Sequence, residues 1–390
     1  MPLVQLTVSG FRNLLDTRLE LSPDINYLFG PNAAGKTNLL EAVYYLAIGR
    51  SFRRSPDKEL LGFGQSCLTI AGTDRTGQSG EIRYDGREKR ILRNGTEIDR
   101  LSAYLGWLPV VVFLLDDIDL VRGAPTLRRG FLDLAIAKTD PAYIPVLNKY
   151  RHALRQHNRL LEQAAAMNVR EAWESELVQT GVAVYKQRLR VVGPLLEAAM
   201  RHGRTLLGTD CSYEYRPSIG TIGSENSHSD LTEQFRTRLV AFRHRSEELK
   251  QTVVGPHRDD ILVRSADREL RRFGSIGEQR LAAVALRLAE ADLLASSQKG
   301  PAVFLLDEIV SELDEQRSRM VLELVAQRGQ MIYAAAKDPR RKGWSGHWIE
   351  MKDGLRPGSE AAAPSASEIR ELFPAGKVFH VQAGKISEVR

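Results

Sequence analysis

A chain of 390 residues, 43% hydrophobic and 27% charged, is long enough to bury a large core and has the balance of an ordinary globular protein of two or three units. Its 55 Lys and Arg against 49 Asp and Glu leave a formal charge of +6, which suits a polyanionic partner without identifying one. Two cysteines, Cys67 and Cys211, exclude a disulfide framework or thiolate zinc site and fit a reducing cytoplasm, and no run approaches the roughly 20 apolar residues of a membrane helix.

The N-terminal MPLVQLTVSGFRNLL alternates like a strand from Val4 to Val8 and lacks the layout of a signal peptide. Ile25 to Phe29 is a compact apolar run that predicts a buried strand, and Leu39 to Ala47 has the spacing of an amphipathic helix. A strand pair is expected at Leu68 to Gly72 and Glu81 to Tyr84, and Arg93-Asn94-Gly95-Thr96 carries a hairpin signal. From about 125 to 250 the pattern is helical, with Leu147, Tyr150, Leu154 and Leu161 on one face and a second run from Trp173 to Met200. Gly193-Pro194 interrupts that run, which argues against a long coiled coil. Arg128, Arg129, Arg151, Arg155, Arg159, Arg188 and Arg190 crowd this stretch, for the most part as solvated helix faces. Past Thr252 strands and helices alternate, with an apolar run at Ala302 to Leu306 and a helix from about Glu315 to Arg328. Residues 357–368, PGSEAAAPSASE, read as a flexible linker. The chain thus divides into 1–125, 126–250 and 251–390, with no fixed-period repeat.

Gly30-Pro31-Asn32-Ala33-Ala34-Gly35-Lys36-Thr37 satisfies G-x-x-x-x-G-K-[ST] in full, between the apolar run and the helix. Gly30 and Gly35 let the backbone curl so that N–H groups converge on phosphate oxygens, and the helix N-terminus adds its dipole. Lys36 brings a point charge to the β- and γ-phosphates and the Thr37 hydroxyl ligates Mg²⁺, with Asn38 following at the start of the helix. ATP and Mg²⁺ are therefore the expected cofactors.

Ala302 to Glu308 has the form of a Walker B strand ending in acids. Asp307 would hold Mg²⁺ and Glu308 would polarise an attacking water as general base. Ser311-Glu312-Leu313-Asp314, just beyond, looks like the D-loop of ABC-type ATPases, and Gly274-Ser275-Ile276-Gly277-Glu278-Gln279-Arg280 resembles their signature motif. By that resemblance Ser275 and Gly277 would contact the γ-phosphate of nucleotide held by another subunit. P-loop, long insertion, signature, Walker B and D-loop stand in ABC/SMC order, and Lys36 and Asp307 lie 271 positions apart, as in split SMC-type heads. The expected fold is α/β, an ABC/SMC-type P-loop ATPase head of two lobes with an inserted helical arm domain.

Several strings resemble the RecF family of bacterial recombination mediators: FRNL from Phe11, GPNAAGKTNLLEA from Gly30, GRSFR from Gly49 and DIDLVRGAPTLRRGFLD from Asp117. GPHRDD from Gly255, SIGEQR from Ser275, LLDEIVSELD from Leu305 and KVFHVQAGKI from Lys377 extend the resemblance over nearly the whole chain. Ile276 and Glu278 stand where glutamines are common, Glu308 where a second Asp is frequent, and Lys337 to Arg341 is unusually basic. The resemblance puts Arg12 and Asn13 near the adenine or α-phosphate and Arg53 within reach of nucleotide or DNA. His257, Arg258, Asp259 and Asp260 fit an ion-pair knot as well as a direct role. It implies an ATP-dependent homodimer that binds single- and double-stranded DNA at junctions and gaps in repair, replication and the SOS response. Mediators of the RecO/RecR type and RecA would be partners, hydrolysis slow and DNA-stimulated, and the location cytoplasmic and nucleoid-associated. The alternatives are an ABC-type ATPase coupled to transport and a scaffold that uses ATP only to dimerise.

Overall fold

The computed structural model describes residues 2–308, 313–335 and 377–389. The D-loop residues Ser311 and Glu312, the linker at 357–368 and the basic segment at 337–341 lie outside the described residues. Strands β1 (Leu3–Ser9), β2 (Thr17–Glu20) and β3 (Ile25–Phe29) lead to helix α1 (Lys36–Ile48). Strands β4 (Leu68–Asp74), β5 (Ser79–Tyr84), β6 (Lys89–Arg93), β7 (Thr96–Glu97) and β8 (Val110–Phe113) follow. Next come α2 (Pro125–Thr139), α3 (Tyr143–Glu162), α4 (Met167–Leu207), β9 (Cys211–Arg216), α5 (His228–Ala241), β10 (Asp260–Ser265), β11 (Arg268–Glu269) and α6 (Ile276–Leu294). The last described elements are β12 (Ala302–Asp307), α7 (Glu315–Ala326), β13 (Gly329–Ala335) and the hairpin β14 (Lys377–Gln382) and β15 (Lys385–Val389). The chain forms two compact units, Met1–Asp117 with Glu290–Arg390, and Ile118–Ala289.

Among the described residues the first unit holds two six-stranded sheets. One runs β2-β1-β4-β5-β6-β7 with antiparallel neighbours, and Asn94 and Gly95, at φ 49° and 78°, make the tight β6–β7 turn that the Asn-Gly pair predicts. The other runs β15-β14-β3-β13-β12-β8, parallel from β14 to β8. Every residue of β3 is buried, as is Ala302 to Leu306 of β12, because an interior parallel strand is covered on both faces. Helix α1 packs against β8, β12 and β13 of this sheet and β4 and β5 of the other. Covered on both sides, it buries eleven of its thirteen residues rather than the single face of the amphipathic helix expected from its spacing.

In the second unit α3 and α4 pack against each other, and α4 also carries α2, α5 and β9. Helix α4 runs unbroken for 41 residues through Pro194. Pro194 deprives the Arg190 carbonyl of its donor, but both residues lie on the exposed side of the helix, where water can serve that carbonyl, and the expected interruption does not occur. Strand β9 interrupts the otherwise helical stretch and pairs antiparallel with β10 from Cys211↔Ser265 to Arg216↔Asp260. That pairing draws residues 251–289, which the sequence pattern groups with β12, into the helical unit, so this unit extends past the expected boundary at 250.

Candidate functional site

The loop between β3 and α1 leaves the sheet at the carboxyl ends of its parallel strands, where open α/β sheets bind ligands. Gly30 and Gly35 have φ of 154° and 115°, and Ala33 is left-handed at 63°. A Cβ on Gly30 would sit 2.0 Å from the Val381 carbonyl oxygen, so glycine is required there by space as well as conformation. Lys36 is 4% exposed, and its Nζ donates to the carbonyls of Gly30 at 2.8 Å and Pro31 at 3.0 Å. Burial pushes its pKa down, while Glu308 and Asp307 act to raise it. The ammonium is thus anchored to the loop's own carbonyls, while Pro31, Asn32 and Ala33 remain exposed.

Strand β13 separates β3 from β12, and the carboxyl end of β12 brings the Walker B acids level with this loop. Thr37 Oγ1 donates to Asp307 Oδ1 at 2.9 Å, and Glu308 Oε1 lies 3.8 Å from Lys36 Nζ. Burial, as the main cause, raises the Asp307 pKa and Glu308 adds to it, against the Thr37 hydrogen bond, Arg53 and Lys36. Glu308 takes a left-handed φ of 51°, held by its N–H bond to the Ala334 carbonyl at 3.1 Å. Non-glycine residues seldom adopt that conformation, and it tends to persist at functional sites. Among the described residues no three His, Cys, Asp or Glu gather as a metal site. The donor pair nevertheless fits magnesium, which takes one or two protein oxygens and completes its shell with phosphate and water. Cis ligands of an octahedral Mg²⁺ lie about 2.9 Å apart, as the Thr37 and Asp307 oxygens do.

Arg12 and Asn13 are close to the loop but engaged with protein. Arg12 makes a bidentate pair with Glu41, from Nη2 at 2.9 Å and Nε at 3.0 Å, and also bonds Ser55 and the Glu59 carbonyl. Glu41 is fully buried and shared with Arg53 Nη1 at 3.1 Å and the Ser51 hydroxyl. Arg53 also reaches Asn38 Oδ1 at 2.9 Å, Asn38 Nδ2 reaches Asn13 Oδ1 at 2.7 Å, and Asn13 Nδ2 reaches the Ala33 carbonyl at 3.0 Å. Sequence reasoning missed Glu41 and Ser51. A lone acid among Leu39, Leu40, Ala42 and Val43 was the available signal, since such a position is buried with a partner.

Ser275 and Gly277 belong to the other unit. Ser275 is exposed and caps α6: its hydroxyl accepts from Glu278 N at 3.2 Å, and Glu278 Oε2 accepts from Ser275 N at 2.7 Å. The reciprocal pair is a capping box, which gives the unusual Glu278 a local task. Asp259 and Asp260 of GPHRDD anchor an ion-pair knot, whereas the exposed Arg258 bonds the Thr252 carbonyl. Arg188 bridges Asp259 at 2.7 Å and Asp133 at 2.9 Å, Asp259 also accepts from Tyr185, Tyr215 and Ser218, and Asp260 holds Arg128 at 2.6 Å.

Residues 5–105 match the AAA domain family. The chain is 34% identical over 350 residues to the DNA replication and repair protein RecF of Protochlamydia amoebophila, covering 87% of this chain and 95% of that protein. It is 35% identical over 370 residues to RecF of Moorella thermoacetica, covering 92% and 96%. The solved structure of the recombination mediator protein RecF-ATPrS in the RecFOR pathway superposes with a TM-score of 0.83 at 25% identity, covering 100% of this chain and 98% of that one. An Smc head bound to the C-terminal winged-helix domain of ScpA shares the fold alone, at a TM-score of 0.54 and 13% identity. The fold is the α/β ATPase head shared by RecF and SMC proteins, and the chain belongs to the RecF family of DNA replication and repair proteins.

Proposed function

We propose that the protein is an ATP-dependent DNA-binding mediator of recombinational repair, in which two chains close over two ATP molecules. One observation carries this reading: Lys36, Thr37, Asp307 and Glu308 gather within hydrogen-bond and ion-pair reach beside the phosphate loop, while Ser275 sits exposed at a helix start in a separate unit. A helix N-terminus that carries an exposed serine suits the γ-phosphate of a second chain's nucleotide. Lys36 would exchange its two carbonyl partners for β- and γ-phosphate oxygens, to which it makes stronger charge-assisted bonds. Thr37 and Asp307 would hold magnesium, which when bound neutralises phosphate charge. Glu308, displaced from Lys36 by the phosphates, would accept a proton from the attacking water.

Loss of the γ-phosphate removes the bonds shared by both chains and releases them. The closed dimer binds single- and double-stranded DNA at junctions and gaps through the phosphate backbone, without reading sequence. Mediators of the RecO/RecR type and RecA are the partners, and hydrolysis is slow and DNA-stimulated. The RecFOR pathway of the similar solved structure supports this setting.

The mass of the protein in solution, with and without ATP and Mg²⁺, tests the reading. Wild type is expected to shift from monomer to dimer with nucleotide, and Ser275→Arg to remain monomeric. A wild type that stays monomeric with ATP, Mg²⁺ and DNA together overturns the two-chain site.

A further inference from the structure

A loop whose N–H groups converge on an anion turns its carbonyls outward, and each outward carbonyl needs its own donor. Here one donor is Lys36 within the loop, and two come from outside it, one from near each end of the chain. Lys36 serves the carbonyls of Gly30 and Pro31. Asn13 Nδ2 serves Ala33 at 3.0 Å, and the Gly384 N–H serves Ala34 at 2.8 Å. Both donors are themselves fixed. The Asn13 oxygen accepts from Asn38, which settles the orientation of its amide, and the Gly384 carbonyl accepts from Leu15 N at 3.0 Å. Strand β14 lies parallel to β3 with His380 opposite Phe29, their rings stacked at 5.0 Å, so the hairpin turn emerges level with the start of the loop.

The approach is too close for side chains. Ala383 and Gly384, at φ 47° and 80°, form the tight turn between β14 and β15. A Cβ on Gly384 would lie 1.8 Å from the Asn13 carbonyl oxygen, as one on Gly30 would lie 2.0 Å from that of Val381. The hairpin therefore touches the loop at its first glycine and again near its second, where a Cβ on Gly35 would lie 3.6 Å from Gly384 Cα.

We propose that the C-terminal hairpin turn and the Asn13 side chain form a collar that sets the peptide planes of the phosphate loop, making Gly384 and Asn13 positioning residues for nucleotide binding. The role in binding rests on the ATP reading above, whereas the effect on the loop does not.

Gly384→Ala tests it against Gly77→Ala, whose glycine has a similar φ of 84° in the β4–β5 turn but nothing within 4 Å of an added Cβ. Backbone strain is comparable in the two, so a difference between them reports the collar. Two quantities are measured: amide hydrogen exchange of residues 30–37 without nucleotide, and ADP affinity by fluorescence titration. Gly384→Ala is expected to speed exchange and weaken ADP binding by about tenfold or more, since an opening that costs 1.4 kcal/mol less is tenfold more populated. Gly77→Ala is expected to match wild type in both. Asn13→Ala, which adds no atom, should shift both quantities the same way and answers the question if Gly384→Ala does not fold. Loop exchange and ADP affinity at wild-type levels in Gly384→Ala and Asn13→Ala overturn the proposal. A wild type that does not bind ADP, with the exchange contrast intact, overturns the ATP reading and leaves the collar standing.

Discussion

Glu308 and Glu41 are both acids beside the phosphate loop, yet their surroundings give them different tasks. Glu308 stands at the end of a buried strand, strained into a left-handed backbone and 3.8 Å from Lys36. Glu308→Gln keeps the shape and removes the proposed base, so turnover should fall about 10²- to 10⁴-fold while ATP affinity stays near wild type. Single-turnover phosphate release would show it, and equal rates in the two proteins would remove Glu308 from the role of base. Glu41 is fully buried and neutralises Arg12 while sharing Arg53. Truncating it leaves a half-buried guanidinium without its partner, and Glu41→Ala should lower unfolding free energy by about 3 kcal/mol in urea titrations. A loss under about 1 kcal/mol would mean that water replaces the carboxylate without strain.

Elements show how burial changes the meaning of a charged stretch. The arginines of α2, α3 and α4 read alike in sequence, but Arg128 and Arg188 are buried while Arg151, Arg155, Arg159 and Arg190 are exposed. Arg188 ties α4 to Asp133 of α2 and to Asp259 just before β10. Arg188→Leu leaves two carboxylates without that partner in a dry site, and a loss of about 3–5 kcal/mol is expected in chemical unfolding. Next to this knot His257 donates Nε2–H to the Thr252 carbonyl at 2.9 Å and accepts the Tyr150 hydroxyl on Nδ1 at 2.6 Å. Both bonds suit a neutral ring. Burial first, then Arg258, Arg129 and Arg188, push its pKa from 6.5 down to about 4. A depressed folded pKa means that His257 stabilises the fold fully above its unfolded value and loses that contribution as pH falls toward about 4. The thermal unfolding temperature should accordingly fall as pH drops from about 6.5 to about 4, and His257→Gln should flatten that dependence. An unchanged slope in the variant would assign the loss to carboxylates.

For the whole molecule, the charge of +6 and the absence of sequence-reading contacts from the proposed mechanism predict DNA binding dominated by phosphates. Affinity of the ATP-bound protein for a gapped duplex should fall about 10³- to 10⁵-fold between roughly 50 and 200 mM salt if about six to ten phosphates are contacted. A flat salt response would point to base contacts instead. The sequence alone determined the elements whose signals are local. The phosphate loop, the apolar strands β3 and β12, the Asn94-Gly95 turn and the ABC/SMC order of motifs were all legible, because strand period, turn chemistry and glycine geometry act over a few residues. Tertiary structure alone decided the rest. It covered α1 with two sheets and so hid its expected polar face, carried α4 through Pro194, and moved residues 251–289 into the helical unit through β9–β10 pairing. It also brought Gly384 to Ala34, residues 350 positions apart, because sheet neighbours are chosen by hydrogen bonding and burial across the whole chain, which no local pattern records.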